Sequence, residues 1–396
     1  MQKTVRKLPP QVDSEKRVVT LDFIRGVAIL GIFLMNIVAF GLPSAAYMNP
    51  AWAGMPSQVD VWSWALSDLL AQFKFLSLFA LLFGASLQLL LPRGKNWIQA
   101  RLFWLLLLGF LHGVLLWDGD ILFDYGLTGM LVWRLIDTAE SSAALLKKAA
   151  IFYLIGCLLL LFFGFVTDNN NLTHWQPTSA ETMHEIMWKT AGGLPAMENR
   201  LTYFFAALIS LIVQYGWQLS GLMLLGSVLV RNGWLLGHWP VAHYRQLAWK
   251  LIGLGWLIEI PTMVVQWQTG WDYAISAYFL QIPRDISAPV QALGYAALCF
   301  GYWQSLEGFK LSNAVCCVGR MALSNYLLQT LLATSYFYSM QNFNHYGRAQ
   351  LLLFVPVMWS INLLLSVCWL SRYPQGPVEM LWRSVTRLTA YGRSRT

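Results

Sequence analysis

Two short groups of residues in this chain have the types and spacing to do chemistry. The first is Asp22, Arg25 and Asn36, set inside the apolar stretch VTLDFIRGVAILGIFLMNIVAFGL. On a helix, residues three apart face the same side, so Asp22 and Arg25 are neighbours. Asn36 lies eleven residues past Arg25, almost three full turns, and returns to that side. An ion pair and an amide along one stripe are either a structural pair with a packing amide or the wall of a polar tunnel. In a tunnel, Arg25 would bind an anionic group. The second group is His112 with Asp118 and Asp120 in LGFLHGVLLWDGDIL, with Tyr125 close behind. A carboxylate beside an imidazole fixes its tautomer and stabilises the imidazolium, which makes a competent general base. The plain alternative is a histidine bonded to a neighbouring helix. Gly109 and Gly113 form a small-x-x-x-small face that lets another helix approach beside His112.

Further polar residues interrupt apolar runs. Lys74 sits in the middle of LLAQFKFLSLF, too deep to snorkel easily, so it needs a cavity or an acid. Glu259 precedes Pro261, where a broken helix would free a carbonyl for the carboxyl to line. In GRMALSNYLLQ, Asn325 and Gln329 are four apart and form one polar ridge, with Arg320 at its start, placed to pair a lipid or substrate phosphate. Ionisable groups at the centre of a membrane helix cost roughly 2.5–3.5 kcal/mol each on insertion scales, so they imply protein, water or ligand around them. No metal is expected. The five cysteines form no C-x-x-C pair and the histidines are scattered. Neither a phosphate-cradling glycine loop nor a dinucleotide fingerprint is present.

The elements that must position these residues are transmembrane helices. Apolar residues make up 57% of the 396 and charged residues only 12%, with 20 Trp and 16 Tyr. A soluble domain carries roughly 25% charge, and the aromatics suit interfacial belts. Spanning-length runs fall near 19–42, 60–91, 98–117, 144–167, 201–231, 244–267, 286–305, 313–337 and 348–371, with a shorter one near 121–136. The predicted fold is an all-α polytopic membrane bundle of about ten transmembrane helices. The runs at 60–91 and 201–231 exceed the bilayer and predict tilt or an interfacial first turn. Lys and Arg gather on one side of this topology, with only Lys189, Arg200, Arg284 and Arg348 opposite and Arg25 and Lys74 within spans. The positive-inside rule then puts both termini in the cytoplasm. The net charge of +8 is therefore largely topological and implies no nucleic acid. A basic end at 386–396 would touch anionic lipid or simply hold topology. The loop 168–199 is either a lid or a connector.

At this point the residues carry a resemblance. TLDFIRGVAILGIFLMN, LGFLHGVLLWDGDIL, CVGRMALSNYLLQ and QGPVEMLWR resemble the YeiB family of bacterial inner-membrane proteins over roughly 18–385. The resemblance implies a cytoplasmic tail (1–17), a first transmembrane half (18–220) and a C-terminal transmembrane domain of unknown function (221–385) ahead of the basic tail. More distantly, Asp22-x-x-Arg25-Gly26 and the amide Asn36 resemble the first span of heparan-glucosaminide acetyltransferases, and the pattern is similar to acyltransferase-3 proteins. Those enzymes move an acyl group from cytoplasmic acyl-CoA to an external acceptor. Carried over, Arg25 would hold the acyl donor with Asp22 as its partner. Lys74 and Arg320 would assist, while Asp118, Tyr125, Asn325 and Gln329 would line the acceptor. The segment from Tyr47 to Trp52 holds no histidine, so His112, supported by Asp120, would serve as base and Asn36 as oxyanion donor. The expectation is an acyltransferase in the inner membrane with acyl-CoA as donor. A transporter or flippase of an organic anion or lipid, and a non-catalytic scaffold, stay open beside it, and so does a homo-oligomer.

Overall fold

A computed structural model of the protein describes residues 18–167 and 172–392. The tail 1–17 and the last residues of the basic tail lie outside them. The helices, in chain order, are α1 (Val19–Gly41), α2 (Gln58–Leu70), α3 (Lys74–Leu90), α4 (Lys95–Leu115), α5 (Leu122–Asp137), α6 (Ser142–Val166), α7 (Ser179–Ala191), α8 (Gly193–Ser210), α9 (Gly216–Arg231), α10 (Val241–Gln268), α11 (Gln281–Leu306), α12 (Lys310–Arg320), α13 (Ala322–Thr334), α14 (Arg348–Leu351), α15 (Phe354–Leu370) and α16 (Pro377–Gly392). Among the described residues there is no strand, only one isolated bridge between Trp52 and Gly54. The fold is an all-α membrane bundle.

Among the described residues, seven stretches are long and apolar enough to cross a membrane: 19–41, 58–93, 95–115, 142–166, 193–231, 241–268 and 348–370. The three other predicted spans are also helical but fall short on one count each. α5 has 16 residues. α11 carries Gln281, Arg284, Asp285 and Gln291 on its buried face. The ninth span is two helices, α12 and α13, divided at Met321.

The two overlong runs differ from expectation. Residues 60–91 do not form one tilted helix, because the chain breaks between α2 and α3. Phe73 there adopts a left-handed backbone, φ 59°, a conformation costly for a non-glycine residue. Residues 201–231 extend the other way, beginning at Gly193 and loosening into a π turn at Leu211–Tyr215. The loop 168–199 contains α7, closed at its start by a capping box of Thr178 and Glu181. The 220/221 boundary falls inside α9, and α16 runs unbroken through 386.

α1 is buried along most of its length, whereas α6 and α15 expose most of theirs to the surroundings. Close approach needs glycine at the crossing of α1 with α12. A Cβ on Gly26 would stand 2.1 Å from the Val315 carbonyl oxygen, and one on Gly319 would stand 1.8 Å from that of Asp22. This contact sets Arg25 and Arg320 beside one another.

Candidate functional site

Three separate cavities hold most of the predicted site residues. The first, about 250 Å³, lies at the end of the bundle where the basic residues gather. Its mouth holds Arg25, Arg101, Arg320, Glu379 and Trp382, and its depth is apolar, with Phe79, Phe83, Leu102, Leu105, Leu122 and Tyr125. A shallower depression adjoins it and shares Arg101, Arg320, Glu379 and Trp382, adding Arg93 and Arg383. Arg25 is held by Asp22 (3.4 Å) and by Ser86 Oγ (3.0 Å). The Arg101 guanidinium stacks 3.5 Å over the Trp382 ring, which pins α16 to α4. Arg320 donates to the Pro374 carbonyl at 2.9 Å. Glu379 is already used, since its carboxylate accepts from the backbone N–H of Leu323 (2.8 Å) and of Ser324 (3.1 Å) at the start of α13. Among the described residues, positive charge therefore exceeds negative at this mouth.

The second cavity, about 310 Å³, is at the other end of α1. Asn36, Met35, Tyr47, Trp117, Asp118, Ile121 and Lys189 line it. Lys189 reaches in from α7 and lies 3.5 Å from Asp118 and 3.1 Å from Glu185. Burial opposes its ammonium, but the charges of Asp118 and Glu185 outweigh that and hold it above the usual lysine range. Burial pushes the Tyr47 phenol up to about 12, so it stays a neutral hydroxyl.

The third is a lateral groove of about 790 Å³ among α4, α13, α15 and the start of α16. His112 faces it. The His112 Nδ1 is 2.7 Å from Asp120 Oδ1, and the other Asp120 oxygen accepts the Phe123 backbone N–H at 2.9 Å. His112 packs 5.4 Å from the Tyr326 ring, and the Tyr326 hydroxyl accepts the Ile121 N–H at 3.4 Å. His112 Nε2 is buried without a hydrogen-bond partner. Gly109 makes this possible, because a Cβ there would be 2.2 Å from Phe123 N. The small-residue face thus brings α4 onto the first turn of α5 and presses His112 against Asp120.

Arg25, Asn36 and His112 do not line a single passage. The α1 stripe divides between the first two cavities, and His112 opens sideways into the third. A layer of Leu122, Tyr125 and Tyr326, each at most 4% exposed, stands between them. The Tyr125 hydroxyl donates to the Leu76 carbonyl at 3.0 Å, which helps fix that layer.

Other predicted site residues are engaged elsewhere. Lys74 lines none of these cavities. Its ammonium meets Glu259 Oε1 at 3.0 Å and the Asp68 carbonyl at 2.7 Å. Asn325 borders the groove, but its amide is used on the Met321 carbonyl (3.0 Å), Ser366 Oγ (2.9 Å) and the Asn362 amide (2.8 Å). Gln329 donates to the Ile29 carbonyl (3.3 Å) and to Asn362 Oδ1 (3.1 Å). These two amides tie α1, α13 and α15 together, the usual work of amides between membrane helices, rather than presenting a substrate-binding ridge.

Sequence reasoning missed Arg101, Arg93 and Arg383 as site residues, having counted them only toward topology. A trace was available in Arg101, six residues into an apolar helix, and in the aromatic Trp382 of QGPVEMLWR. It also missed a second charged cluster, in which Arg284 pairs with Asp68 and lies 3.6 Å from Glu259. Ser287 bonds Glu259, while Gln218 (2.8 Å) and Gln281 (2.5 Å) donate to Asp285. No group of residues suited to a metal occurs among the described residues.

Comparison with known proteins gives relatives but no solved structure that matches. A family described as a protein of unknown function, DUF418, matches residues 229–389. The chain is 52% identical over 371 residues to the uncharacterized protein YeiB of Escherichia coli (strain K12), covering 94% of this chain and 96% of that one. It is 28% identical to the uncharacterized protein YxaH of Bacillus subtilis (strain 168), covering 96% and 97%. It is 24% identical to an uncharacterized 39.9 kDa protein encoded 3′ of an amylase in Bacillus acidopullulyticus, covering 94% of each.

Proposed function

The chain belongs to the YeiB family, and we propose that it acts in the bacterial inner membrane as an acyltransferase, taking an acyl group from cytoplasmic acyl-CoA to an acceptor on the far side. The observation that carries this reading is the first cavity. Its arginine-rich mouth leads into an apolar depth, which suits a donor with an anionic head and an apolar or thioester-bearing arm. Arg25, Arg101 and Arg320 would bind the phosphates, and Arg93 and Arg383 would draw them in. The arm would lie along Leu102 and Leu105 toward Leu122. Leu105 and His112 are seven residues apart, two turns along one face of α4.

His112 would then be the base. Asp120 holds its Nδ1 proton and leaves Nε2 free to accept. The acceptor O–H or N–H would attack the thioester carbonyl, forming the new C–O or C–N bond and breaking C–S. The proton would pass through Nε2 to the leaving thiolate. The layer of Leu122, Tyr125 and Tyr326 separates the donor cavity from His112 and from Asn36, so transfer at His112 and an oxyanion role for Asn36 both require that layer to move. That closed layer, with cavities toward both ends of α1, is also what favours a second reading, a transporter of an organic anion that opens to one side at a time.

The test uses purified protein in lipid nanodiscs with radiolabelled acetyl-CoA and palmitoyl-CoA. Acyl transfer predicts binding weakened by Arg25→Ala and Arg101→Ala, and release of CoA thiol that depends on His112. Failure to bind at millimolar CoA, together with protein-dependent anion uptake into proteoliposomes, would replace this reading with transport.

A further inference from the structure

We infer that the lateral groove is a binding site for a membrane lipid bearing a hydroxyl or amine head, and that this lipid is the acyl acceptor; the acceptor role rests on the acyl-transfer reading above. Three observations identify the occupant. Apolar side chains of α4, α13 and α15, leucines above all, make up most of the groove lining, with Arg372 just past the end of α15 also bordering it; α4 and α15 belong to membrane-crossing stretches. Its rim is open, with Leu111, Leu115, Leu331 and Leu365 each at least 43% exposed, so lipid chains and not water surround the entrance. Its volume, about 790 Å³, is ample for a ligand.

One side chain gives polarity to the site. His112 is 2% exposed, lines the groove and has no partner for Nε2. Burying a nitrogen without a hydrogen-bond partner is costly, so the site is incomplete without a group to bond it. The neighbouring polar residues do not compete. The Ser324 hydroxyl bonds Glu379, and the Asn325 amide is committed to α12 and α15. The unmet hydrogen bond therefore falls near the end of α4, three residues before Leu115. A lipid of the leaflet away from the basic end would place its head there and its chain along Leu111, Leu328 and Leu365. Its O–H or N–H would give its proton to Nε2 as the acyl carbon bonds to oxygen or nitrogen, and the leaving thiolate would take that proton.

The experiment uses the full-length protein in nanodiscs containing phosphatidylglycerol with a diazirine on its acyl chain, the head of which carries free hydroxyls. Photolabelling is mapped by mass spectrometry. The expected result is labelling of the α4 and α13 segments that face the groove, reduced on the order of tenfold by Leu328→Trp, which fills it. Labelling of the lipid-exposed residues Leu154 and Leu158 on α6 should not change. With radiolabelled acyl-CoA, label should enter phosphatidylglycerol but not phosphatidylcholine, and His112→Gln should stop this. Groove labelling that Leu328→Trp leaves unchanged overturns the site. Undiminished transfer by Leu328→Trp to a water-soluble acceptor overturns the lipid acceptor while acyl transfer stands. A groove that is labelled as expected in a protein that never releases CoA overturns acyl transfer, and the acceptor role with it, and leaves the lipid site.

Discussion

The membrane interior of this protein holds charge in two regions that are built on opposite principles. Around Lys74, Glu259, Asp68 and Arg284, each charged side chain is at most 2% exposed and has an oppositely charged neighbour. Around Arg25, Arg101, Arg320, Arg93 and Arg383, cations outnumber acids, and Glu379 is spent on backbone N–H groups. The first cluster is closed and reads as the joint that locks α2, α3, α10 and α11 together. The second is open and, among the described residues, holds more cations than acids, which is what a site for an anion requires. The cost of burying charge falls mainly on the first region; pairing and access tell the two apart.

The sharpest way to break this contrast is to remove one partner from the closed cluster. Glu259→Ala leaves Lys74 and Arg284 buried with less negative charge, a loss of about 3–5 kcal/mol for a broken buried pair. Thermal unfolding in detergent should show a large fall in midpoint, or the protein should fail to accumulate. Arg25→Ala and Arg101→Ala should cost less, Arg101→Ala about the 0.5–2 kcal/mol of its stacking on Trp382. Comparable destabilisation by all three variants would make the basic region another structural joint.

The converse test is anion binding. Loss of Arg101 removes a charged hydrogen-bond donor worth about 1.5–3 kcal/mol, or roughly ten- to a hundredfold in affinity. Titration calorimetry with CoA should record that loss for Arg101→Ala, a steep dependence on salt in the wild type, and little change for Lys74→Met in whatever fraction folds. Equal binding by wild type and Arg101→Ala would remove the distinction between the two regions.

Asp120→Asn probes the junction itself. The amide can keep a bond to Nδ1 but favours the wrong tautomer and cannot stabilise the imidazolium. CoA release should fall on the order of 10²–10⁴-fold with binding intact. A fall confined to binding would assign Asp120 to packing instead.

Much of this arrangement was legible in the sequence, and the parts that were not share a cause. The helical period put Arg25 and Asn36 on one stripe of α1, and both border cavities. The segment from Gly109 to Asp120 placed His112 next to an acid, and the two are 2.7 Å apart. These are local relations, fixed by turns and spacing. What the sequence hides is which distant segments meet. Arg101 finds Trp382 and Asp68 finds Arg284 across more than half the chain, and no period encodes such pairs. The break at Phe73 was hidden differently, because an apolar run is equally apolar whether its helix continues or turns. That break is what aims Lys74 at Glu259 instead of at the basic mouth. The grouping of Arg25, Asn36 and His112 that the resemblance implied is divided among three cavities for the same reason, since helix phase gives the face of α4 and α1 but not which neighbour covers it.

The mildest test concerns the far end, where α7 brings Lys189 into the second cavity. α7 begins with Thr178, whose backbone N–H donates to Glu181 at 2.7 Å and whose side chain accepts the Glu181 N–H at 3.3 Å. The bond from the Thr178 backbone holds the Glu181 carboxyl below its ordinary range. A depressed carboxylate stabilises the fold above its unfolded-state value, about 4.3 for Glu, and that contribution is lost as pH falls through the lower folded value. Lys189 behaves oppositely. Its raised value gives a contribution fully present below the ordinary lysine range, about 10.4, and lost only as pH rises past the folded value. Between about pH 6 and 9 both contacts therefore stay intact. Hydrogen exchange across 179–191 should be flat with pH in that window after correction for intrinsic rate, and should rise a little when the pH drops below about 4. Thr178→Ala should produce a similarly small rise at neutral pH, confined to α7. A rise that instead spread to α1 and the start of α5 would mean that α7 braces the whole junction. The closed cluster would then not be the only joint holding the bundle together.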